Sequence, residues 1–581
     1  MSGLISTLGV IWRLAIPYFR SEDRWAGRVL LAAVIAIELA IVAISVLLNA
    51  WNNRFYNALQ DHNWDAFVSE LLYFCALAAA YIVLAVYQLY LNQWLQIRWR
   101  TWTTGQYLGR WLDGSNHYRM QLLGDAADNP DQRISEDIQM FIDRTLTIGL
   151  GLLNSIVTLG SFVIILWNLS ALAPIHLFGS TWALPGYLVW AALIYAVIGT
   201  VFTHLIGQPL VALNFQQQRY EADFRFNLVR VRENGEQIAL LDGESAERGR
   251  LMDRFGFVAG NWFAIMQRTK KLTFFTAGYN QASVVFPYIV VSPAYFANHI
   301  QLGGLMQTAS AFSSVQNALS FFVTAYRQLA EWRAVIDRLA GFESSIAAGH
   351  AAAVTPPVIT VARKPNATEV EAADLHVRLP NGTPLIAAAD LAFAAGDRVL
   401  VNGPSGAGKS TLFRAVAGIW PFGSGTITVP QGRSLMLLPQ RPYLPLGSLV
   451  AAVSYPGLPG EYDIAAVRDV LIAVGLPEFA ERLAEEAHWN RMLSLGEQQR
   501  LAIARAILHR PDYLFLDEAT ASLDEAAEAA LYRLLHERLA GTTIVSIGHR
   551  STLRAFHRRH LVLERDATGN RIEERALEAA E

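Results

Sequence analysis

Residues 403–411 read Gly403-Pro404-Ser405-Gly406-Ala407-Gly408-Lys409-Ser410-Thr411 and satisfy the pattern G-x-x-x-x-G-K-[ST] at every fixed position. Glycines at this spacing let the backbone wrap a phosphate with its N–H groups. A helix that opens at the end of the loop turns its positive pole toward the same anion. Lys409 then reaches the β- and γ-phosphates of a nucleotide, and the Ser410 hydroxyl holds Mg2+. The flanks agree with this reading: 398–402 (RVLVN) has strand character and 412–418 has helix character. A chance glycine-rich turn would supply neither the flanks nor the Lys-Ser pair.

Two further segments supply partners for this chemistry. Residues 513–518 read YLFLDE, an apolar strand ending in two carboxylates. Asp517 suits a metal ion and Glu518 suits polarisation of an attacking water. Such a strand is common by itself, but downstream of a phosphate loop it describes nucleotide hydrolysis. Between the two lies 493–500, LSLGEQQR, followed by a helical run to His509. Ser494 as N-cap with Glu497 three residues on is a capping box, and the helix end it builds can receive a second phosphate.

These residues need an α/β scaffold, and the sequence has room for more than that. The chain has 581 residues, of which 53% are hydrophobic and 17% charged, with a mean hydropathy of +0.25. Soluble domains are about 25% charged, so part of this chain faces lipid. A net charge of −3 and a pI near 6.5 argue against a nucleic-acid partner. The single cysteine, Cys75, excludes an intrachain disulfide and reads as a small buried hydrophobe within an apolar run.

Six stretches approach the roughly 20 apolar residues that cross a bilayer: 29–50, 71–91, 146–167, 184–205, 272–296 and 305–326. Arginine and lysine fix their direction. The stretches 171–183 and 298–304 carry neither, and 51–70 carries only Arg54, whereas 92–145 holds six arginines and 206–271 is richer still. The positive-inside rule places the two long basic segments and both termini in the cytoplasm. Both segments keep helical periodicity, which predicts membrane helices that continue well beyond the bilayer. The N-terminal 20 residues, interrupted by Arg13 and Pro17, read as an amphipathic surface helix rather than a signal peptide. The expected organisation is therefore an all-α six-helix transmembrane domain over 1–341, a linker over 342–368, and an α/β nucleotide-binding domain over 369–581.

The cassette motifs in this order resemble the ATP-binding-cassette (ABC) proteins. Residues 493–497 look like their signature, with Ser494, Leu495, Gly496 and Glu497 acting on the nucleotide of a second copy. The resemblance implies that Gln440, after the apolar run 434–439, is the Q-loop glutamine that senses Mg2+ and water. It makes Ala521–Asp524 the D-loop and His549, after 543–547, the switch histidine that contacts the γ-phosphate. The catalytic set it implies is Glu518, His549 and Gln440, with Ser410, Gln440 and Asp517 at the metal, ATP and Mg2+ as ligands, and a homodimer of half-transporters. Two positions depart from the family pattern. Leu495 and Glu497 replace a glycine and a glutamine, and Leu379, just before Pro380, stands where an aromatic usually stacks on adenine.

The N-terminal part resembles a narrower group. Residues 18–25 (YFRSEDRW), 51–60 (WNNRFYNALQ), 129–138 (NPDQRISEDI) and 230–244 (RVRENGEQIALLDGE) look like SbmA/BacA-related and YddA-type bacterial transporters and the subfamily D half-transporters. That resemblance implies an exporter-like fold in a bacterial inner membrane, used to import hydrophilic cargo such as peptides or cobalamin-like compounds. In the last span Gln307, Ser310, Ser314 and Asn317 recur at helical spacing, a stripe that serves either a wet cargo path or helix–helix hydrogen bonds. Asn280 and Gln281 carry the same two readings, and Glu38, an ionisable group mid-span, is either functional or bonded to a neighbouring helix. Pro287 and Pro293 are expected to kink their span. Residues 230–244 are expected to help carry force between the domains. Export of lipid, acyl-CoA or drug-like cargo, and an ATP-gated channel, are the alternatives; a soluble ribosome-acting ABC protein would lack spans.

Overall fold

Alternating strand-like and helix-like runs in the C-terminal part, and long apolar helices before them, give two units in the computed structural model. It describes residues 2–575 apart from 125–128, 173–174, 178–179, 183–184, 459 and 567–568. One unit is Met1–Tyr107 with Pro130–Ala340, and the other is Leu108–Asn129 with Gly341–Glu581.

The helices are α1 (Ser2–Arg20), α2 (Arg24–Gln60), α3 (Trp64–Leu112), α4 (Asn116–Leu122), α5 (Ile138–Leu172), α6 (Tyr187–Glu233), α7 (Gly235–Leu240), α8 (Glu244–Phe296) and α9 (Leu302–Val354). The six expected spans lie in α2, α3, α5, α6, α8 and α9, with the fourth starting at Tyr187 rather than 184. The 49 residues of α3 and the 53 of α8 and of α9 make rods of about 75–80 Å at 1.5 Å per residue, far beyond a ~30 Å hydrocarbon core. Among the described residues four helices are long and apolar enough to span by composition: Arg24–Gln60, Trp64–Leu122, Pro130–Ala171 and Tyr187–Glu233. The other two, α8 and α9, are diluted by polar residues that are largely engaged in hydrogen bonds between or along helices.

In the first unit Phe162, Leu166, Leu188, Val291, Phe312 and Val315 form the common core of α5, α6, α8 and α9. Tyr195 and Tyr279 stack, and each hydroxyl donates to the other's backbone carbonyl, at 2.6 and 3.1 Å, tying α6 to α8. Pro287 and Pro293 lie inside α8, which continues through both. Cys75 is exposed rather than buried, because the apolar window of α3 has no side chains covered within this chain. Glu38 and the 51–60 motif bond to neighbouring helices. Glu38 is 7% exposed and accepts from Gln88 on α3 and from Asn154 on α5, the latter at 2.5 Å. Asn49, Asn53, Asn57 and Gln60 run down one face of α2 onto the start of α9. Asn53 donates to the Gln307 side chain at 2.8 Å, and Asn57 and Gln60 accept the Gly303 and Leu302 N–H groups at 2.8 and 2.7 Å. These capping bonds satisfy N–H groups that a helix start leaves unpaired.

Behind α9 the segment assigned to a linker is structured. The helix runs to Val354, and only Thr355–Ile359 separates it from the first strand. The physical reason is α4. Asn116 donates to the Ile346 carbonyl at 3.1 Å and Arg119 to the Gly349 carbonyl at 2.9 Å, and a Cβ on Gly349 would lie 2.3 Å from the Asn116 side-chain oxygen. The small residues that read as a linker are a packing face.

The second unit holds a ten-stranded sheet of β1 (Thr360–Lys364), β2 (Val370–Arg378), β3 (Pro384–Phe393), β4 (Arg398–Asn402), β5 (Gly423–Pro430), β6 (Leu435–Leu438), β7 (Tyr513–Asp517), β8 (Thr543–Ile547), β9 (Arg559–Asp566) and β10 (Gly569–Arg575). Its order is β1-β5-β2-β3-β10-β9-β4-β8-β7-β6. The run β6-β7-β8-β4-β9 is parallel, and β7 and β8 at its middle are nearly continuous hydrophobic runs buried on both faces. Helices α10 (Lys409–Val416), α11 (Leu495–His509) and α12 (Glu525–Arg538) cover it.

Candidate functional site

Register decides where the chemistry gathers. Val401 pairs with Ile547, Ile547 with Asp517, and Leu516 with Leu438, so β4, β8, β7 and β6 end level with one another. The phosphate loop follows β4, His549 follows β8, Asp517 ends β7 and Gln440 follows β6. Four motifs far apart in sequence therefore meet at the carboxyl edge of one parallel sheet, where ligands of such sheets bind.

The loop itself is shaped by backbone requirements. Gly403 has φ +148°, and a Cβ there would sit 2.8 Å from the Leu563 carbonyl oxygen. Gly408, φ +92°, is the N-cap of α10. Pro404, Ser405 and Gly406 are exposed, while Ala407, Lys409 and Thr411 are buried. Lys409 donates to the carbonyls of Gly403 at 2.9 Å and Pro404 at 3.0 Å, so its ammonium lies over the loop. Burial holds its pKa below the ordinary lysine value, against the pull of Glu518 and Asp517.

Ser410 donates its hydroxyl proton to Asp517 at 2.8 Å. Burial raises the Asp517 pKa, opposed by the Ser410 bond and by Arg414. Glu518 has φ +51°, a left-handed conformation that a non-glycine residue adopts only under constraint. Its side chain receives Gln440 at 3.2 Å and lies 3.3 Å from His549 Nε2. Of the three residues assigned to catalysis by resemblance, Gln440 and His549 thus both touch the third, Glu518. Oxygen donors from Ser410 and Asp517 form a hard set that fits Mg2+.

The signature segment is a capping box as expected. Ser494 caps α11, and Glu497 accepts from the Ser494 backbone N–H at 2.7 Å. Ser494 is exposed and Leu495, Gly496 and Glu497 are half-buried, so this helix start is open in the single chain. Asp524 caps α12 through the Ala527 N–H at 2.7 Å. Leu379 sits in the β2–β3 turn and packs on the core below, with no aromatic in its place.

Sequence reasoning missed three positions. Gln499, fully buried, contacts both Gln440 and Ser522. Glu528, also buried, accepts from Thr520 at 2.6 Å and faces Arg550, next to the switch histidine. The third is α4, whose Tyr118 and Leu122 pack on the core around the phosphate-loop helix, close enough that Arg414 acts on Tyr118. The Asp113-Gly114-Ser115 turn before α4 was the available signal.

Residues 14–296 match the family described as ABC transporter transmembrane region 2, and residues 386–521 match the ABC transporter family. The inner membrane ABC transporter ATP-binding protein YddA of Escherichia coli is 35% identical, over 92% of this chain and 93% of its own. The chain is an ABC transporter. ATP binding, and hydrolysis coupled to transport, follow from that membership. ABC transporter D family member 2, chloroplastic, of Arabidopsis thaliana is 34% identical over 96% of this chain and 86% of its own. The lysosomal cobalamin transporter ABCD4 of Mus musculus is 25% identical over 94% and 92%. These relatives carry the YddA and subfamily D side of the resemblance and lend no support to its SbmA/BacA side. A bacterial Atm1-family ABC exporter with ATP bound shares the fold, with a TM-score of 0.69 at 18% identity over 95% of each chain.

Proposed function

We propose that two copies of this ABC transporter pair and import a hydrophilic cargo, of the cobalamin or peptide kind, across a bacterial inner membrane. Each ATP lies between the phosphate loop of one copy and Ser494–Glu497 of the other. The observation that carries this reading is the contact of Glu518 with both Gln440 and His549 at the edge of the sheet. Glu518 orients water toward the γ-phosphorus; the new P–O bond forms as the bond to the β-phosphate oxygen breaks. Lys409 holds the phosphates, and His549 faces the transferred group. Ser410, Asp517 and Gln440 would hold Mg2+, which when bound would offset phosphate charge.

Pairing is supported by a surface that the single chain leaves uncovered. At the tip of the α6–α8 hairpin, Phe224, Val231, Ile238, Met252 and Phe255 line a groove, beside Leu240 and Leu241, which are 76% and 81% exposed. Closure of the cassettes moves α4 through its packing beside the phosphate-loop helix, and α4 leads straight back into α3. ATP affinity that differs between open and closed states supplies the coupling.

The test is Glu518→Gln in reconstituted vesicles. Turnover should fall by about a hundredfold or more with ATP binding retained, and ATP-driven uptake of labelled cobalamin or peptide should stop. Unchanged hydrolysis removes Glu518 from its role. Export on the same scaffold is the second reading. Accumulation of acyl-CoA or lipid in inside-out vesicles selects it, and nucleotide-gated conductance without turnover selects a channel.

A further inference from the structure

Gln499 lies on α11, one turn and a half from the signature N-cap, and has no exposed surface. Its Nε2 donates to the Gln440 carbonyl oxygen at 3.0 Å, and its Oε1 accepts the Ser522 N–H at 2.9 Å. Both partners are backbone groups of fixed polarity, so the amide has one orientation. Gln440 in turn donates to Glu518. Ser522 lies two residues before Asp524, the cap of α12. One side chain therefore joins the signature helix to the loop that touches the catalytic carboxylate and to the turn that follows it.

We infer that Gln499 is a positioning residue that links the two ATP sites of the dimer, moving Gln440 and the 521–524 turn when the signature of α11 engages the partner's nucleotide. This rests on the paired-site reading above. A helix start that docks on phosphate shifts along its axis. A buried amide bonded to two loops transmits that shift, because breaking either bond leaves one end of the buried Gln499 amide unpaired. The ordinary alternative is an amide that only holds the core together.

The test uses the full chain in nanodiscs with ATP and Mg2+. Gln499→Glu keeps the acceptor toward Ser522 but presents an oxygen to the Gln440 carbonyl; Gln499→Leu keeps volume and removes both bonds. The unsubstituted protein should hydrolyse ATP with a Hill coefficient above 1. Both variants should lower it to 1 and reduce kcat by at least about tenfold, the effect of one lost buried hydrogen bond, while single-site ATP binding persists. If the variants lower only the yield or melting temperature and the folded protein stays as cooperative as before, Gln499 is structural and the inference is overturned. A variant that melts before assay leaves the other to decide, since the glutamate is nearly isosteric. Non-cooperative turnover by an unsubstituted monomer overturns the paired-site reading and this inference together; a cooperative dimer with equally cooperative variants overturns the inference alone.

Discussion

Acid should loosen the cassette beneath the switch histidine, and His557 sets the size of the effect. Its ring is 5% exposed. Nδ1 faces the Leu553 carbonyl at 2.7 Å, which only accepts, so the neutral ring carries its proton there and Nε2 accepts from the Ser546 hydroxyl at 2.8 Å. Protonation would break the second bond, two residues before Gly548 and His549. Burial, aided by His536, Arg398 and His560, lowers the His557 pKa from 6.5 to about 4. Between those values the unfolded chain binds a proton that the folded one refuses, so stability is complete above 6.5 and declines as pH falls toward 4. From pH 7 to pH 5 the loss is about 2 kcal/mol, or about thirtyfold in the opening equilibrium. Burial lowers the pKa of His536 and His560 as well, in the same direction. Asp517, whose pKa is raised, acts in the opposite direction at lower pH. Hydrogen exchange of 543–554, corrected for its intrinsic pH dependence, should accelerate about thirtyfold over this range. In His557→Gln, which keeps polar partners but does not titrate, most of that acceleration should vanish. Equal acceleration in both proteins, or less than threefold in the unsubstituted one, refutes the argument.

Three other substitutions probe the membrane unit. Gly303→Ala places a Cβ 2.0 Å from the Asn53 carbonyl oxygen; it should destabilise by roughly 1–3 kcal/mol and lower the melting temperature in detergent. Asp137 is buried and takes both Arg133 and a bidentate Arg338, the latter at 2.6 and 2.9 Å. Asp137→Ala strands a nearly buried guanidinium and should cost about 3–5 kcal/mol, whereas replacing all three by apolar residues should restore most of the melting temperature. Glu38→Leu leaves the amides of Gln88 and Asn154 without their acceptor and should destabilise by about 1–2 kcal/mol while cargo uptake per folded molecule is unchanged; selective loss of uptake would return Glu38 to a transport role.

Legibility in the sequence followed the distance to each residue's partner. The strand runs 398–402, 513–517 and 543–547 stand in the structure as they read, because each is a short apolar run buried on both faces. The capping box was equally plain, since Ser494 and Glu497 satisfy each other three residues apart. The spans were legible as helices, though α8 and α9 were weak on hydropathy because polar groups interrupt their apolar runs. What spacing could not settle was which neighbour a polar stripe meets. Gln307 sits in a helical stripe with Ser310 and Ser314, yet its partners are Asn49 and Asn53, more than 250 residues earlier. Ser314 donates to its own helix, at the Ser310 carbonyl. Asn280, Gln281 and Asn317 remain exposed in the single chain.

The same dependence on distant partners explains why 342–354 did not read as a helix. Ala, Gly and Ser between 342 and 354 carry no apolar stripe strong enough to announce a helix. Their smallness is what lets Asn116 and Arg119 reach the backbone carbonyls of Ile346 and Gly349. The end of α9 and the short α4 are thus one packed element, and α4 also presses Tyr118 and Leu122 onto the core beside the phosphate-loop helix. A helix clamped by buried hydrogen bonds does not bend at that point, which leaves Thr355–Ile359 as the irregular stretch before the first strand.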